Sequence, residues 1–399
     1  MRAVVYRGVN DLRLETVPVP RIGANELLVK VAVCGVCPTD IKKIQYGTVP
    51  PPRIFGHETA GTIVKIGGNR TSLEIPSPIG WERVAAGRVR VGDRVALHHH
   101  VPCLDCHFCR HRAFAQCETY KRTGITAGFE PAGGGYAEYV RVMNFVLPGV
   151  VKIPARNSFA EGAMLEPVNT VLKAVRRLNL LRGDAVLVAG QGPIGLMFTR
   201  LLQLAGARVL ATDLLEPRLR LAKKFGAKWT RLVESREPGT GSRKMRRAGH
   251  AQQTTLGPRP STLDAAIITV PSDAAVYQAL QLVRSAGQVL LFAHTRKADG
   301  RWQMADGGRG RVANPNSHLQ TPISQIDFSS ICLDEKDLIG SYSSDFTLQA
   351  EVARLVFSRQ LDVRPLISHR FPLEQTAAAV RLAAHPMPDS LKIVVTADS

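Results

Sequence analysis

The spacing of hydrophobic residues changes near residue 158. Before it, hydrophobic residues occur in short runs separated by glycine and proline, such as LLVKVAVCGV, TAGTIVKIG, RVALHHH and YAEYVRV. Short runs bounded by turn-forming residues predict strands. The first 157 residues are therefore predicted to form a compact β-rich unit.

From residue 158 onward the spacing becomes helical. The segment SFAEGAMLEPVNTVLKAVRRLNL predicts a helix that begins at Ser158 or Asn157. Four later segments predict strands separated by amphipathic helices: AVLVAG, RVLATD, DAAIITV and QVLLFAHT. Strands connected through helices pair in parallel by right-handed crossovers. The predicted fold class is α/β, with a doubly wound parallel sheet of the Rossmann type.

The last part of the chain adds further elements. Residues 337–343, DLIGSYS, predict another strand. Two amphipathic helices and a terminal strand, LKIVVTA, follow. The pattern does not decide which domain these elements join.

Length and composition indicate a globular protein of two domains. The chain has 399 residues, of which 45% are hydrophobic. No segment has the roughly 18 consecutive uncharged apolar residues that a membrane span needs, and the apolar run at the N-terminus is too short for a signal peptide. Clustered cysteines in such a chain favour a metal site over disulfides. We therefore expect a cytoplasmic protein without membrane contact.

The formal net charge of +19 raises the possibility of a nucleic-acid partner. Part of this charge lies in two loop-like stretches: residues 236–261 carry six basic residues against one acidic, and residues 296–311 carry five against two. Solvated surface insertions explain them, and an anionic partner is the alternative. Because aromatic residues make up only 6% and no recognition helix is evident, nucleic acid is disfavoured.

A glycine-rich turn follows the strand AVLVAG. It contains Gly190, Gly192, Pro193, Ile194 and Gly195 in the pattern GxGxxG and leads directly into a helix. This context predicts a dinucleotide site, in which the glycines allow a tight turn, the approach of a pyrophosphate and close packing of the helix. The alternative is a purely structural turn.

An acidic residue accompanies this turn. Asp213 closes the next strand 18 residues after Gly195, close to the position of an acid that binds the adenosine ribose. Its carboxylate would repel a 2′-phosphate, so NAD is favoured over NADP. Arg218 lies near enough in sequence to keep NADP possible, and an ordinary solvated aspartate is the alternative.

Two groups of residues have the chemistry of metal ligands. The first is Cys103, Cys106, Cys109 and Cys117. Four thiolates leave no open position around Zn²⁺, which indicates a structural site, with an iron–sulfur cluster as the alternative. The second group consists of Cys37 with Thr39 and Asp40, His57, Glu58, and Glu166. A mixed set of this kind is typical of an open catalytic zinc, but spacing alone equally allows a core thiol and a hydrogen-bonded histidine.

Several stretches together resemble the zinc-containing medium-chain dehydrogenase/reductase family along almost the whole chain. They are CGVCPTDIK, GHETAGTIVKIG, the four-cysteine segment, GGGYAEYV, LEPVNTVLKAV, VAGQGPIGL and DVRPLISHRFPLEQ. The resemblance implies a chaperonin-10-like catalytic domain, residues 1–157 and 346–399, with a structural-zinc lobe at about 98–120. It also implies a Rossmann NAD-binding domain at 158–345.

The resemblance also implies roles for individual residues. Cys37 and His57 would be zinc ligands, and Glu58 and Glu166 are alternatives for the carboxylate ligand. Thr39 matches the hydroxyl residue that contacts the reacting oxygen. The LEPV segment resembles the sorbitol and polyol branch of the family. Pro38 and Lys42 depart from the usual pattern, so the proton relay is not implied.

The expected function is therefore that of a zinc-dependent oxidoreductase. It would transfer a hydride between an alcohol or polyol and NAD(P), giving the aldehyde or ketone, with two zinc ions per subunit and Cys37, Thr39 and His57 at the catalytic centre. A homodimer or homotetramer is expected. The alternative is a basic, zinc-bearing protein that binds nucleic acid or another partner without dehydrogenase activity.

Overall fold

A computed structural model describes residues 1–68, 70–75, 87–98, 101–119, 133–233, 262–293 and 328–397. The described residues fall into two compact units: residues 1–173 with 342–397, and residues 174–293 with 328–341. In this part of the chain, no helix is long and apolar enough to cross a membrane. The basic stretches at 236–261 and 296–311 lie outside the described residues.

The first unit is built mainly of antiparallel strands. They are β1 (Arg2–Gly8), β2 (Asp11–Thr16), β3 (Leu27–Gly35), β4 (Arg53–Ile54), β5 (Glu58–Ile66), β6 (Ser72–Ile75), β7 (Gly87–Arg90), β8 (Arg94–Leu97), β9 (Tyr139–Val142), β10 (Val150–Lys152), β17 (Ile367–Pro372) and β18 (Lys392–Thr396). The largest sheet has the order β10-β8-β5-β3-β18-β17, and β9 also pairs with β3. Because β18 pairs with β3, the structure places the C-terminal strand in the first unit, which the hydrophobic pattern had left open.

The helices of the first unit are short. They are α1 (Pro38–Tyr46), α2 (His107–Arg110), α3 (Phe159–Ala163), α4 (Leu165–Val175), α9 (Gln349–Phe357) and α10 (Thr376–Ala384). Two smaller sheets, β2-β1-β4 and β6-β7, complete the unit.

Strand β3 lies at the centre of the largest sheet, where it pairs with β5, β9 and β18. Leu27, Val29 and Val31 are fully buried and pack with Ile63 and Val140 from the neighbouring strands. Removing such side chains from water stabilises the fold by roughly 1.5–3 kcal/mol each. The strand thereby gives a rigid base to Gly35, where it ends, and to the residues that follow.

The helical segment that begins at Ser158 is interrupted. Ser158 forms a capping box with Glu161, which confirms it as the start of α3. The hydrophobic pattern predicted one continuous helix, but α3 ends at Ala163 and α4 begins at Leu165. Pro167 explains the difference, because it has no N–H to donate to the carbonyl of Ala163. The proline and the preceding Glu166 therefore lie in the first turn of α4.

The second unit contains a parallel sheet of six strands. They are β11 (Ala185–Ala189), β12 (Arg208–Asp213), β13 (Trp229–Leu232), β14 (Leu263–Ile268), β15 (Val283–Leu291) and β16 (Asp337–Gly340). The strand order is β13-β12-β11-β14-β15-β16, and every pair is parallel. Its described helices are α5 (Pro193–Leu204), α6 (Glu216–Lys224), α7 (Asp273–Leu282) and α8 (Phe328–Leu333). The predicted α/β fold with a doubly wound sheet is confirmed, including the strand predicted from DLIGSYS.

The order of the strands reverses between β11 and β14. From β11 the chain continues to β12 and β13 on one side, and from β14 it continues to β15 and β16 on the other side. Such a reversal leaves a crevice beyond the carboxyl end of β11. Gly190 is the first residue after β11, so the glycine-rich turn lies at this position.

Candidate functional site

The pairing of β3 with β5 brings two distant segments of the sequence together. Gly35, at the end of β3, pairs with Glu58, at the start of β5. Cys37 follows β3 and caps the N-terminus of α1, where Pro38 occupies the first turn. The chain therefore carries Cys37 and the pair His57–Glu58 to the same edge of the sheet.

Three possible ligands converge at this edge. One ligand atom each from Cys37, His57 and Glu58 lies within 4.8 Å of the others. A thiolate, an imidazole and a carboxylate form a set that zinc prefers, and three protein ligands leave one position open. Among the described residues, Glu166 is not part of this group.

Two neighbours in α1 contact the group. The hydroxyl oxygen of Thr39 lies 3.1 Å from the sulfur of Cys37. The carboxylate of Asp40 is fully buried and lies 3.1 Å from Nδ1 of His57. A carboxylate on Nδ1 favours the tautomer in which Nε2 is free to bind a metal. Burial alone would raise the pKa of Asp40 and lower the pKa of His57. The attraction and hydrogen bond between the two side chains outweigh burial, so the pKa of Asp40 is lowered and that of His57 is raised.

Glu58 supplies the clearest sign that a cation fits this site. Its Oε1 accepts a hydrogen bond from the ammonium group of Lys392. Its Oε2 is buried and has no hydrogen-bond partner within the part of the chain that the structure describes. A buried carboxylate oxygen without a partner is costly unless a donor or cation satisfies it. The residues present therefore fit a divalent cation beside Glu58.

Glu166 is a third buried carboxyl group near these residues, after Asp40 and Glu58. Burial raises its pKa to about 7, while the charge of His57 lowers it and the charge of Glu58 raises it. Near neutral pH this group is therefore able to hold or release a proton.

Lys392 is a member of the site that the sequence did not reveal. It is the first residue of β18, and its ammonium group is buried. Although burial lowers the pKa of Lys392, the negative charge of Glu58 raises it above its usual value, so the side chain stays charged. The only signal in the sequence is one charged residue at the start of an apolar strand, which is usually a solvated position.

The four cysteines of the second predicted metal site also converge. Their sulfur atoms all lie within 4.8 Å of one another. The sulfur of Cys109 is 3.5 Å from that of Cys106 and 3.9 Å from that of Cys103. Four sulfurs at about 2.3 Å from one zinc ion are about 3.8 Å apart, so these distances fit a single tetrahedral ion. A cluster of several iron atoms would need a wider separation of the thiolates.

The thiols of this lobe are in the reduced state and differ in acidity. All seven cysteines of the chain are free. Although burial opposes it, backbone N–H groups of Asp105 and Cys106 lower the pKa of Cys103 to about 6. Burial and the neighbouring Cys106 thiol raise the pKa of Cys109. Without a cation, four thiolates cannot form together here, and a bound zinc ion would stabilise all of them.

The glycine-rich turn has the geometry expected of a dinucleotide site. Gly190 adopts φ 93°, which favours glycine. Gly192 is the N-cap of α5, Pro193 begins that helix, and Ile194 and Gly195 lie in its first turn. A Cβ at Gly195 would lie 1.9 Å from the carbonyl oxygen of Gly190, whereas a Cβ at Gly192 would meet nothing within 4 Å. The helix therefore packs against the turn, and the side of Gly192 is open to a phosphate group.

Asp213 joins this turn through backbone hydrogen bonds. One carboxylate oxygen accepts from the N–H of Gln191 at 2.6 Å, and the other accepts from the N–H of Leu215 at 2.9 Å. Arg218 is 4.0 Å from the first of these oxygens. The structure thus brings Asp213 and Arg218 together beside the glycine-rich turn, and their roles in cofactor binding stay a prediction.

Comparison with known proteins identifies relatives for both units. Residues 23–155 match the alcohol dehydrogenase GroES-like domain. Residues 193–306 match the zinc-binding dehydrogenase family. Together, these two matches cover most of the chain.

Whole-length relatives agree with the domain matches. Sorbitol dehydrogenase from Bombyx mori is 29% identical over 387 residues, which is 96% of this chain and 94% of the relative. The probable D-xylulose reductase A of Emericella nidulans is 28% identical, covering 94% of this chain and 91% of the relative. The crystal structure of a putative zinc-binding dehydrogenase from Sinorhizobium meliloti, bound to NADP, has a TM-score of 0.72 at 24% identity and covers 99% of this chain and 98% of its own. The solved structure shows the shared fold, and the two sequence relatives support the dehydrogenase hypothesis and give no support to the nucleic-acid-binding alternative.

Proposed function

We propose that this chain, which belongs to the zinc-containing medium-chain dehydrogenase family, oxidises a polyol with NAD at a zinc centre held by Cys37, His57 and Glu58. The enzyme class itself is a zinc-dependent oxidoreductase that transfers a hydride between an alcohol or polyol and NAD(P). The observation that carries the proposal is the convergence of one thiol, one imidazole and one carboxylate within 4.8 Å.

The chain's own residues have separate tasks in the reaction. When bound, zinc supplies a Lewis acid that makes a substrate hydroxyl more acidic, and NAD supplies the hydride acceptor. Thr39, whose side-chain oxygen lies 3.1 Å from the Cys37 sulfur, would accept a hydrogen bond from that hydroxyl and relay its proton by releasing its own hydroxyl proton toward solvent. Asp40 holds the ring of His57 in place, so the imidazole keeps one orientation throughout the reaction.

Two observations support a polyol as the substrate class. The relatives in Bombyx mori and Emericella nidulans are named for sorbitol and D-xylulose. In addition, Glu166 is a buried carboxyl group close enough to His57 and Glu58 to interact with their charges, and it is not one of the three grouped ligands. Substrates with several hydroxyl groups offer further donors to a carboxylate of this kind.

The environment of Asp213 supports NAD over NADP. Its buried carboxylate would bind the ribose hydroxyls and repel a 2′-phosphate. Arg218 reduces this repulsion, so NADP is used less efficiently but is not excluded.

Several further assignments belong to the same proposal. Cys103, Cys106, Cys109 and Cys117 hold a second, structural zinc ion, which gives two per subunit. We assign catalysis to the first unit and dinucleotide binding to the second; their borders at residues 173/174 and 341/342 lie within 16 residues of the predicted borders at 157/158 and 345/346. The enzyme acts as a homodimer or homotetramer in the cytoplasm, where the thiols stay reduced.

The proposal is tested with a panel of polyols, simple alcohols, amino alcohols and sugar phosphates, each supplied with NAD or NADP. We expect the nicotinamide absorbance to rise with polyols, and kcat/KM to be about tenfold or more higher with NAD, because about 1.4 kcal/mol of repulsion at Asp213 is enough for this ratio. The isosteric variant Asp213→Asn has no negative charge at this position, so its ratio of kcat/KM with NAD to kcat/KM with NADP should be smaller. If no compound of the panel reduces either cofactor, the proposed function is wrong.

A further inference from the structure

We propose that Lys392 is a positioning residue that holds one oxygen of Glu58 and so limits this carboxylate to a single bond with the metal. The consequence is that one position of the metal stays open for substrate. This inference rests on the proposed function, because it takes Cys37, His57 and Glu58 as the ligands.

The ammonium group of Lys392 contacts both segments that carry these ligands. It donates to Oε1 of Glu58 and, at 3.0 Å, to the carbonyl oxygen of Val36. Val36 directly precedes Cys37, and Glu58 directly follows His57. A single side chain from the C-terminal strand therefore joins the two ligand-bearing segments of the first unit.

The other oxygen of Glu58 packs against the end of β3 at Gly35. A Cβ atom at Gly35 would lie 1.8 Å from Oε2, so the carboxylate occupies the space that a side chain would need. Oε2 is buried and, among the described residues, has no hydrogen-bond partner. The carboxylate thus lies in the space beside Gly35, Lys392 donates to its Oε1, and Oε2 is the oxygen left for a cation.

The number of Glu58 oxygens that bind the metal decides whether a position stays open for substrate. A carboxylate is able to bind a metal through one oxygen or through both. If both oxygens of Glu58 bound the ion, the second would occupy the position that a catalytic zinc site keeps open. A permanent ammonium on Oε1 prevents this, because its hydrogen bond and charge compete with the metal for that oxygen.

Lys336 provides a control for the loss of a lysine–carboxylate pair elsewhere in the chain. The side chain of Lys336 is 7% exposed, as is that of Lys392. Like Lys392, it contacts one carbonyl oxygen, of Leu280 at 2.9 Å, and one carboxylate, of Asp334 at 2.7 Å. It lies in the second unit, so Lys336→Met removes a lysine–carboxylate pair without touching the ligands; its carboxylate, that of Asp334, is 39% exposed, whereas that of Glu58 is 2% exposed.

The experiment uses the full-length chain loaded with Co²⁺, whose visible absorption reports the coordination number. The spectrum of Cys37→Ser, which keeps the four-cysteine site, is subtracted to isolate the catalytic site. We expect Lys392→Met to retain cobalt but to show weaker visible bands, as coordination increases. In the zinc-loaded form, the kcat/KM of Lys392→Met should be lower than that of the wild type by at least about tenfold. A chromophoric chelator should remove the catalytic zinc of this variant no faster than that of the wild type. Lys392→Arg keeps the cation and should resemble the wild type.

The opposite results overturn the inference. A merely structural lysine would give Lys392→Met an unchanged cobalt spectrum, faster loss of zinc and a loss of stability like that of Lys336→Met. If Lys392→Met does not fold, Lys392→Gln carries the same test, because its amide is polar but has no charge. A wild-type chain without any Cys37-dependent cobalt band would instead refute the proposed function.

Discussion

Replacing Cys37 with serine is expected to lower kcat/KM for polyol oxidation by at least about 10³-fold. A serine hydroxyl is a poor zinc ligand, so only His57 and Glu58 would remain to hold the ion. Stabilisation of developing charge by a metal is worth several kcal/mol, and about 4 kcal/mol corresponds to this factor. Initial rates with NAD and metal analysis of the same preparation measure the effect, and the variant should lose one zinc per chain.

The matched control is Cys34→Ala. Cys34 lies three residues before Cys37, is fully buried and, within the described residues, is not in the ligand group. Burial raises the pKa of its thiol to about 12, so it is a poor metal ligand. The control should keep its zinc and most of its activity. Full activity of Cys37→Ser at an unchanged zinc content would contradict the proposed centre.

Replacing Cys109 with serine is expected to have the largest effect on stability. Its sulfur lies within 4 Å of two other cysteine sulfurs, so its loss opens the tetrahedral site. Structural zinc contributes directly to folding, and we expect a loss of about 3 kcal/mol or more, which lowers the melting temperature by roughly 6–12 °C. Thermal unfolding and metal analysis check this, with one zinc per chain missing.

Cys332→Ser provides the comparison for this variant. Cys332 is free and exposed, so its replacement should change neither the zinc content nor the melting temperature. A Cys109→Ser chain that retains two zinc ions and unfolds at the wild-type temperature would show that the four cysteines do not bind a structural metal.

Local sequence spacing predicted the features that depend on neighbouring residues. The glycines at 190–195 lie within one turn, and their steric requirements follow from that turn alone. The four cysteines lie within 15 residues, so their convergence needs only a short loop. Ser158 was predicted correctly for the same reason, because a capping box is a local motif.

Features that depend on strand register could not be predicted in this way. Cys37 and Glu58 converge because Gly35 pairs with Glu58, and Lys392 joins them because β18 pairs with β3. The sequence left Glu58 and Glu166 as equal alternatives, and only the structure groups Glu58 with Cys37 and His57. The break at Met164 was not predicted, because the hydrophobic residues keep a helical spacing across it. The break results from the missing N–H of Pro167, which a hydrophobic pattern does not report.

The central claim, zinc-dependent hydride transfer, is tested most directly by following deuterium from the carbinol carbon of a labelled polyol to NAD. We predict that the zinc-loaded chain places the deuterium on the nicotinamide ring and that removal of zinc stops the transfer. Deuterium that appears in water instead, or transfer that continues at the same rate without zinc, would contradict the account.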